Sequence, residues 1–173
     1  MSRVAVVLSG CGYLDGAEIH ESVVTLLALD RAGAEVQCLA PDKPQRDVVD
    51  HRSGQPVEGE SRNVLAESAR IARGEIRDVA DARAEEFDAV IVPGGFGAAK
   101  NLSSFAVEGP ECSVDPGVER LLHDAHAAGK PIGVICIAPA IAARLFPGVD
   151  LTIGSDPDTA GALEQMGAHH KAC

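Results

Sequence analysis

Aromatic residues are almost missing from this chain. Its 173 residues include no Trp, one Tyr and four Phe, 3% in all. The core must therefore be built mainly from Ala, Val, Ile and Leu. Positive charge is also scarce: 15 Lys and Arg stand against 26 Asp and Glu, a net charge of −11. That balance argues against nucleic acid as a partner, because phosphate binding needs clustered Lys and Arg. It argues equally against an anionic membrane surface. No apolar run approaches the roughly 20 residues that span a bilayer. Cys-x-x-Cys pairs are absent too. The five cysteines, at 11, 38, 112, 136 and 173, are odd in number and scattered, which reads as reduced thiols in a cytosolic protein. The six histidines make no metal signature. His123 and His126 sit on one helix away from the strand ends, and His169-His170 fall late in the chain. No metal site and no cofactor are expected.

What is present is a soluble globular mixture, 46% hydrophobic and 24% charged, sized for one domain over 1–173. The start, Met1–Leu8, resembles a signal peptide only superficially. Its apolar run is short and leads into Gly10-Cys11-Gly12 and an acidic helix, so it reads as a first strand. Arg3–Ser9 is that strand, and its run of Val, Ala and Leu suits a buried parallel position. Ala17–Ala32 reads as a helix closed by Gly33, with Ile19, Val23, Leu26 and Leu27 setting its faces, and Ala34–Ala40 as a second strand. This is a right-handed βαβ unit. A surface hairpin is expected around Ser53-Gly54. A helix follows over Ser61–Arg73, then a short strand at Glu75–Val79 and a polar connection at Asp81–Glu86.

Phe87–Val92 reads as a strand that breaks into Pro93-Gly94-Gly95, with a helix expected over Ala98–Phe105 and irregular chain over Ala106–Pro116. Gly117–Ala128 is an amphipathic helix. Ile132–Ile135 is a strand, Ile137–Leu145 a helix, Val149–Ile153 a further strand and Thr159–Met166 a final helix. Alternating strands and helices predict an α/β three-layer sandwich with a mostly parallel sheet and helices on both faces. In such sheets the functional crevice lies beyond the carboxyl ends of the strands. Gly10-Cys11-Gly12, Gly94-Gly95 and Cys136 all fall there, with the last two expected side by side.

Cys136 sits between a buried strand and a helix with Pro139 in its first turn. A helix N-terminus favours a thiolate, and the tight turn should force the residue into a strained conformation. The competing reading is a small inert buried thiol. Gly94 and Gly95 let the backbone approach a ligand, and with the Ile137 amide they could form an oxyanion hole; a plain tight turn is the alternative. Cys11 is expected to line the same pocket. Glu21 and Glu18, in the first helical turns, are rival proton shuttles, and solvated surface carboxylates are the plainer alternative. Gly10 and Gly12 match only part of a dinucleotide fingerprint, because the third glycine comes one residue late, at Gly16.

Three stretches carry a resemblance: SGCGYLDGAEIHE from Ser9 to Glu21, DAVIVPGGFGAAKNL from Asp88 to Leu102, and GVICIAP from Gly133 to Pro139. They resemble the PfpI, or deglycase-like, branch of the class I glutamine-amidotransferase-like superfamily, over about Arg3 to His170. The resemblance implies a flavodoxin-like fold and a homodimer. It implies a nucleophile at Cys136, oxyanion-hole amides at Gly95 and Ile137, and the family's glutamate at Glu21, aligned without gaps from Arg31-Ala32-Gly33. The activity it implies is a glutathione-independent glyoxalase that converts glyoxal to glycolate, also interpreted as deglycation. Two departures stand out. Many relatives supply a histidine just after the next strand, whereas Leu151–Asp156 has none. Relatives also continue beyond the position of Cys173 through a further hairpin and a closing helix, so either the sequence is a piece of a longer chain or a sheet face is left uncovered. A true glutamine amidotransferase would need a His-x-Glu pair after Cys136, and none occurs. The remaining rivals are a redox sensor built on Cys136 and a regulatory protein of isoprenoid metabolism.

Overall fold

The computed structural model describes residues 1–172. Cys173 lies outside them. Five parallel strands make the central sheet: β1 Arg3–Val7, β2 Glu35–Ala40, β5 Ile76–Asp78, β6 Ala89–Val92 and β7 Ile132–Val134, in the order β5-β2-β1-β6-β7. β3 Val49–Asp50 and β4 Gln55–Pro56 form the expected surface hairpin. The helices are α1 Ile19–Arg31, α2 Val64–Ala72, α3 Phe96–Lys100, α4 Phe105–Glu108, α5 Pro116–Ala127, α6 Pro139–Leu145 and α7 Pro157–Gln165. The α/β sandwich and its parallel sheet are thus as the strand and helix patterns predict.

The layers follow from alternation along β1. Val6 and Leu8 face one side, packed with Leu26 and Leu29 of α1 and Ile71 of α2. Ala5 and Val7 face the other, in the larger core with Phe87, Val90, Val92, Leu121, Leu122 and Ile141. Both faces of the strands are buried, so the sequence shows continuous apolar runs and not alternation. Phe87 is among the largest fully buried side chains, one of the few aromatics available to the core.

Two local expectations change. The helix expected from Ala98 begins at Phe96, directly after Gly95, and ends at Lys100; a separate turn of helix then covers Phe105–Glu108. Gly95 takes φ 94°, which turns the chain sharply enough for the helix to start at the next residue. The strand expected over Val149–Ile153 shrinks to β8, Asp150–Leu151, and does not join the main sheet. It pairs in parallel with β9, His169–His170. β7 therefore forms one edge of the sheet, and beside it runs a groove of about 690 Å³ lined in part by His123, His126, Lys130 and Phe146. His126 stacks on Phe146 and His123 meets the same ring edge-on, so both histidines pack on an aromatic.

Candidate functional site

The strand order places β6 between β1 and β7, with Val92 level with Val134. The chain leaves both strands at the same end, so Gly94-Gly95 and Cys136 become neighbours. The order also reverses here, since β2 and β6 flank β1 on opposite sides, which is where parallel α/β sheets open a crevice. A Cβ built on Gly94 would lie 2.2 Å from Cys136 Cβ and 2.7 Å from Glu21 Oε2. No residue larger than glycine fits between them.

Cys136 has φ 58°, one of two non-glycine residues with positive φ among those described; the other, Arg73, is the left-handed cap of α2. Unlike Arg73, Cys136 caps no helix end. Its conformation is the strained strand-to-helix elbow that lifts a side chain out of the sheet end. Cys136 is exposed there, while Cys38 and Cys112 are buried. Burial pushes the Cys38 thiol up to about 11 and raises that of Cys112 as well.

The two acidic candidates have different tasks. Glu18 caps α1: its Oε2 accepts from the Glu21 N–H at 2.7 Å and its Oε1 lies 3.0 Å from His20 Nδ1. The His20 ring, and after it the Glu21 N–H, hold the Glu18 carboxyl below the usual range. Glu21 reaches across to the β6 end instead, where its Oε2 accepts from the Gly94 N–H at 2.9 Å. That bond corrects one expectation. The Gly94 amide is engaged by Glu21 and is not offered to an oxyanion. The amides of Gly95 and Ile137 donate to no protein acceptor among the described residues.

A cavity of about 290 Å³ opens over this cluster, lined by Gly95, Cys136 and Ile137 with Tyr13, Glu18, Phe96, Ile153 and Thr159. Cys11 is not among its lining residues, contrary to expectation. It lies in the field of Glu67 and Arg70 of α2, and burial foremost, then Glu67, raises its thiol. The loop after β1 turns Tyr13 toward the cavity and Cys11 toward α2.

Sequence reasoning missed what holds that loop. Asn101, 3% exposed, donates through Nδ2 to the carbonyls of Ser9 at 2.9 Å and Asp15 at 2.8 Å, and its Oδ1 accepts from the Arg46 N–H. Asp15 is buried, and its Oδ2 accepts from the Val49 N–H of β3 at 2.8 Å. Lys100 donates to the Leu14 carbonyl and pairs with Asp47. A Lys-Asn pair just after a glycine turn looks like polar helix surface in sequence; only burial reveals it as a clasp. Tyr13, Phe96, Ile153 and Thr159 were likewise unassigned. The loop after β8, the Leu151–Asp156 stretch without histidine, supplies Ile153 to the cavity wall. Among the described residues, no three of His, Cys, Asp or Glu converge in a way that could hold a metal ion.

Comparison with known proteins identifies the family and the fold. The model of the DJ-1/PfpI family matches residues 4–154. The human glutamine amidotransferase-like class 1 domain-containing protein 3, mitochondrial, is 57% identical over 178 residues, covering 98% of this chain and 66% of that protein. The ES1 protein, mitochondrial, of Danio rerio is 40% identical, covering 98% and 68%. The chain thus spans about two thirds of the length of these curated relatives. Among solved structures, an isoprenoid biosynthesis protein with an amidotransferase-like domain from Ehrlichia chaffeensis superposes with a TM-score of 0.90 at 42% identity, covering 99% of this chain and 79% of that one. Schizosaccharomyces pombe DJ-1, at 17% identity and a TM-score of 0.54, shares the fold. With a family model matching residues 4–154 and relatives 57% and 40% identical across 98% of its length, the chain belongs to the DJ-1/PfpI family.

Proposed function

We propose that this protein is a glutathione-independent glyoxalase that converts glyoxal to glycolate, with Cys136 as nucleophile. The family to which the chain belongs includes deglycase- and glyoxalase-type members. One observation carries the reading: an exposed thiol in a strained elbow, wedged against a glutamate through a glycine, with two unengaged amides on the same cavity. The Cys136 thiolate adds to one aldehyde carbon and gives a hemithioacetal. The Gly95 and Ile137 amides receive the developing oxyanion. Glu21, held at Oε2 by Gly94, keeps Oε1 free to take the proton from that carbon and return it to the neighbouring one. The product is a glycolyl thioester, which water hydrolyses to glycolate and the free thiol. No cofactor enters these steps. The relay runs through Glu21 without a histidine.

The test is glyoxal consumption and glycolate formation by the wild type, Cys136→Ala and Glu21→Gln. Cys136→Ala should abolish turnover, and Glu21→Gln should lower kcat by about a hundredfold or more. Full activity in the Cys136 variant would overturn the mechanism.

Within the family we assign the chain to the enhancing-lycopene-biosynthesis (ElbB) type, on the Ser9–Glu21 stretch and on its likeness to the Ehrlichia protein. The chemistry asks for a reducing compartment, and the cytosol is the one we assign, although the curated relatives are mitochondrial by name. Among the described residues no helix is long and apolar enough to cross a membrane. A homodimer is supported by α1. Ile19, Val23 and Leu27 lie on one helical stripe and are 41%, 48% and 44% exposed, next to exposed Val24. Val23→Lys should convert a dimer to a monomer by light scattering; an unchanged mass would remove α1 from the interface.

Redox sensing is the second reading, favoured by Cys136 alone being exposed among the described cysteines. Conversion of Cys136 to sulfinate under mild peroxide, with no glyoxal turnover by the wild type, would put the sensor in place of the enzyme.

A further inference from the structure

The walls of the Cys136 cavity speak to which aldehyde it receives. Tyr13 comes from the loop after β1, Phe96 from the start of α3, Ile137 from the elbow and Ile153 from the loop after β8. Four separated segments thus converge to make one largely apolar, open-mouthed cavity of about 290 Å³ over a single thiol. In a chain with one Tyr and four Phe, two of those rings stand at this mouth, 49% and 46% exposed. Leaving them in water is unfavourable, and covering them with an apolar group gains free energy. Glyoxal, a two-carbon molecule about the size of two waters, would fill only a fraction of this space and touch neither ring well.

Charge narrows the choice further. Among the described residues Glu18 is the only charged one that lines the cavity, its carboxyl is held below the usual carboxylate range, and no Lys or Arg stands there. An anionic substituent would meet a carboxylate with no compensating cation.

We infer that the site selects uncharged 2-oxoaldehydes carrying an apolar substituent, R–CO–CHO with R an aryl or branched alkyl group, over glyoxal. This rests on the thiol-dependent dicarbonyl reading above. The aldehyde carbon bonds to Cys136 Sγ, and R lies against Phe96 and Ile153. The aldehyde carbon is then oxidised to the acyl level while the adjacent ketone is reduced to an alcohol, its proton carried by Glu21. Water cleaves the thioester. The sum is R–CO–CHO plus water to R–CHOH–COOH, with no outside oxidant or reductant.

The experiment measures kcat/KM for glyoxal, phenylglyoxal and 4-carboxyphenylglyoxal in the wild type, Cys136→Ala, Phe96→Ala and Phe96→Leu. Phenylglyoxal should exceed glyoxal by about tenfold or more, and the carboxylated analogue should fall back by a similar factor. Phe96→Ala should bring the phenylglyoxal-to-glyoxal ratio toward one, and Phe96→Leu should keep most of it. Comparing that ratio between variants cancels the intrinsic reactivity of the aldehydes. Cys136-dependent glyoxal turnover with a ratio at or below one, or a ratio that Phe96→Ala leaves unchanged, overturns the selection and leaves the dicarbonyl reading standing. Consumption of none of the aldehydes overturns both.

Discussion

Four described cysteines share one chain and fall into three kinds of surroundings. Cys136 is exposed at φ 58°, Cys11 is half-buried near α2, and Cys38 and Cys112 are interior. Only an accessible thiolate is a good nucleophile, so these surroundings should order their chemistry. Burial raises Cys11, Cys38 and Cys112, Cys38 to about 11. At pH 8, iodoacetamide should label Cys136 at least about tenfold faster than Cys38 or Cys112, with Cys11 between, read by peptide mass spectrometry. Equal labelling of Cys38 in the folded protein would contradict its place inside β2.

Elements matter here through their ends. β6 and β7 deliver Gly94 and Cys136 to one crevice, and α1 delivers Glu21 because Glu18 caps its start. The loop after β1 has no partner strand of its own and depends on Asn101, which follows α3. Removing that side chain would leave the Ser9 and Asp15 carbonyls and the Arg46 N–H without their partners in a buried setting. Each such loss costs about 1–3 kcal/mol, partly recovered by water. Asn101→Ala should therefore destabilise the protein by about 2–3 kcal/mol in urea titration. Under the glyoxalase chemistry proposed above it should also raise KM for glyoxal more than it lowers kcat, because Tyr13 loosens while Cys136 and Glu21 stay in place. An unchanged midpoint would mean that the clasp is dispensable.

For the whole molecule, acid stability is set in part at the edge of the sheet remote from the thiol. Arg77 of β5 makes two parallel bonds to Glu86, at 2.9 and 3.0 Å, and Arg3 of β1 lies 3.8 Å away. The Arg77 guanidinium foremost, then the Arg83 N–H, pull the Glu86 carboxyl from 4.5 down to about 2. A carboxyl lowered by folding stabilises the native state above its unfolded value and loses that contribution as pH falls through the folded one. The window is thus pH 4.5 down to about 2. Both partners are partly exposed, so screening limits the pair to about 1 kcal/mol or less. Glu86→Gln should lower Tm slightly at pH 7 and flatten its decline across that window, with 1 M salt shrinking the difference. A decline as steep as in the wild type would assign acid sensitivity to other groups.

Much of this was legible in the chain itself. Runs such as Val4–Leu8 and Ala89–Val92 are apolar without alternation, which only two-sided burial in a parallel sheet explains, and the glycines after them mark where strands stop. The crevice followed from topology, and Cys136 and Glu21 as candidates from motif and alignment. What sequence could not decide were directions and partners. It offered Gly94 as an oxyanion donor, but a donor has one proton to give, and whether a carboxylate takes it depends on α1 reaching β6 from 73 residues away. It grouped Cys11 with Cys136 because both end strands, yet the direction of a side chain in a loop is set by packing, and packing turned Cys11 to α2. It marked Leu26 and Leu27 as one apolar helix, but only the sheet's position shows that Leu26 is covered and Leu27 is not. Local periodicity and composition act within a few residues and so are written in the sequence. The engagement of a single N–H, the facing of a thiol and the walls of a cavity arise from contacts between segments far apart in the chain, and only the folded arrangement decides them.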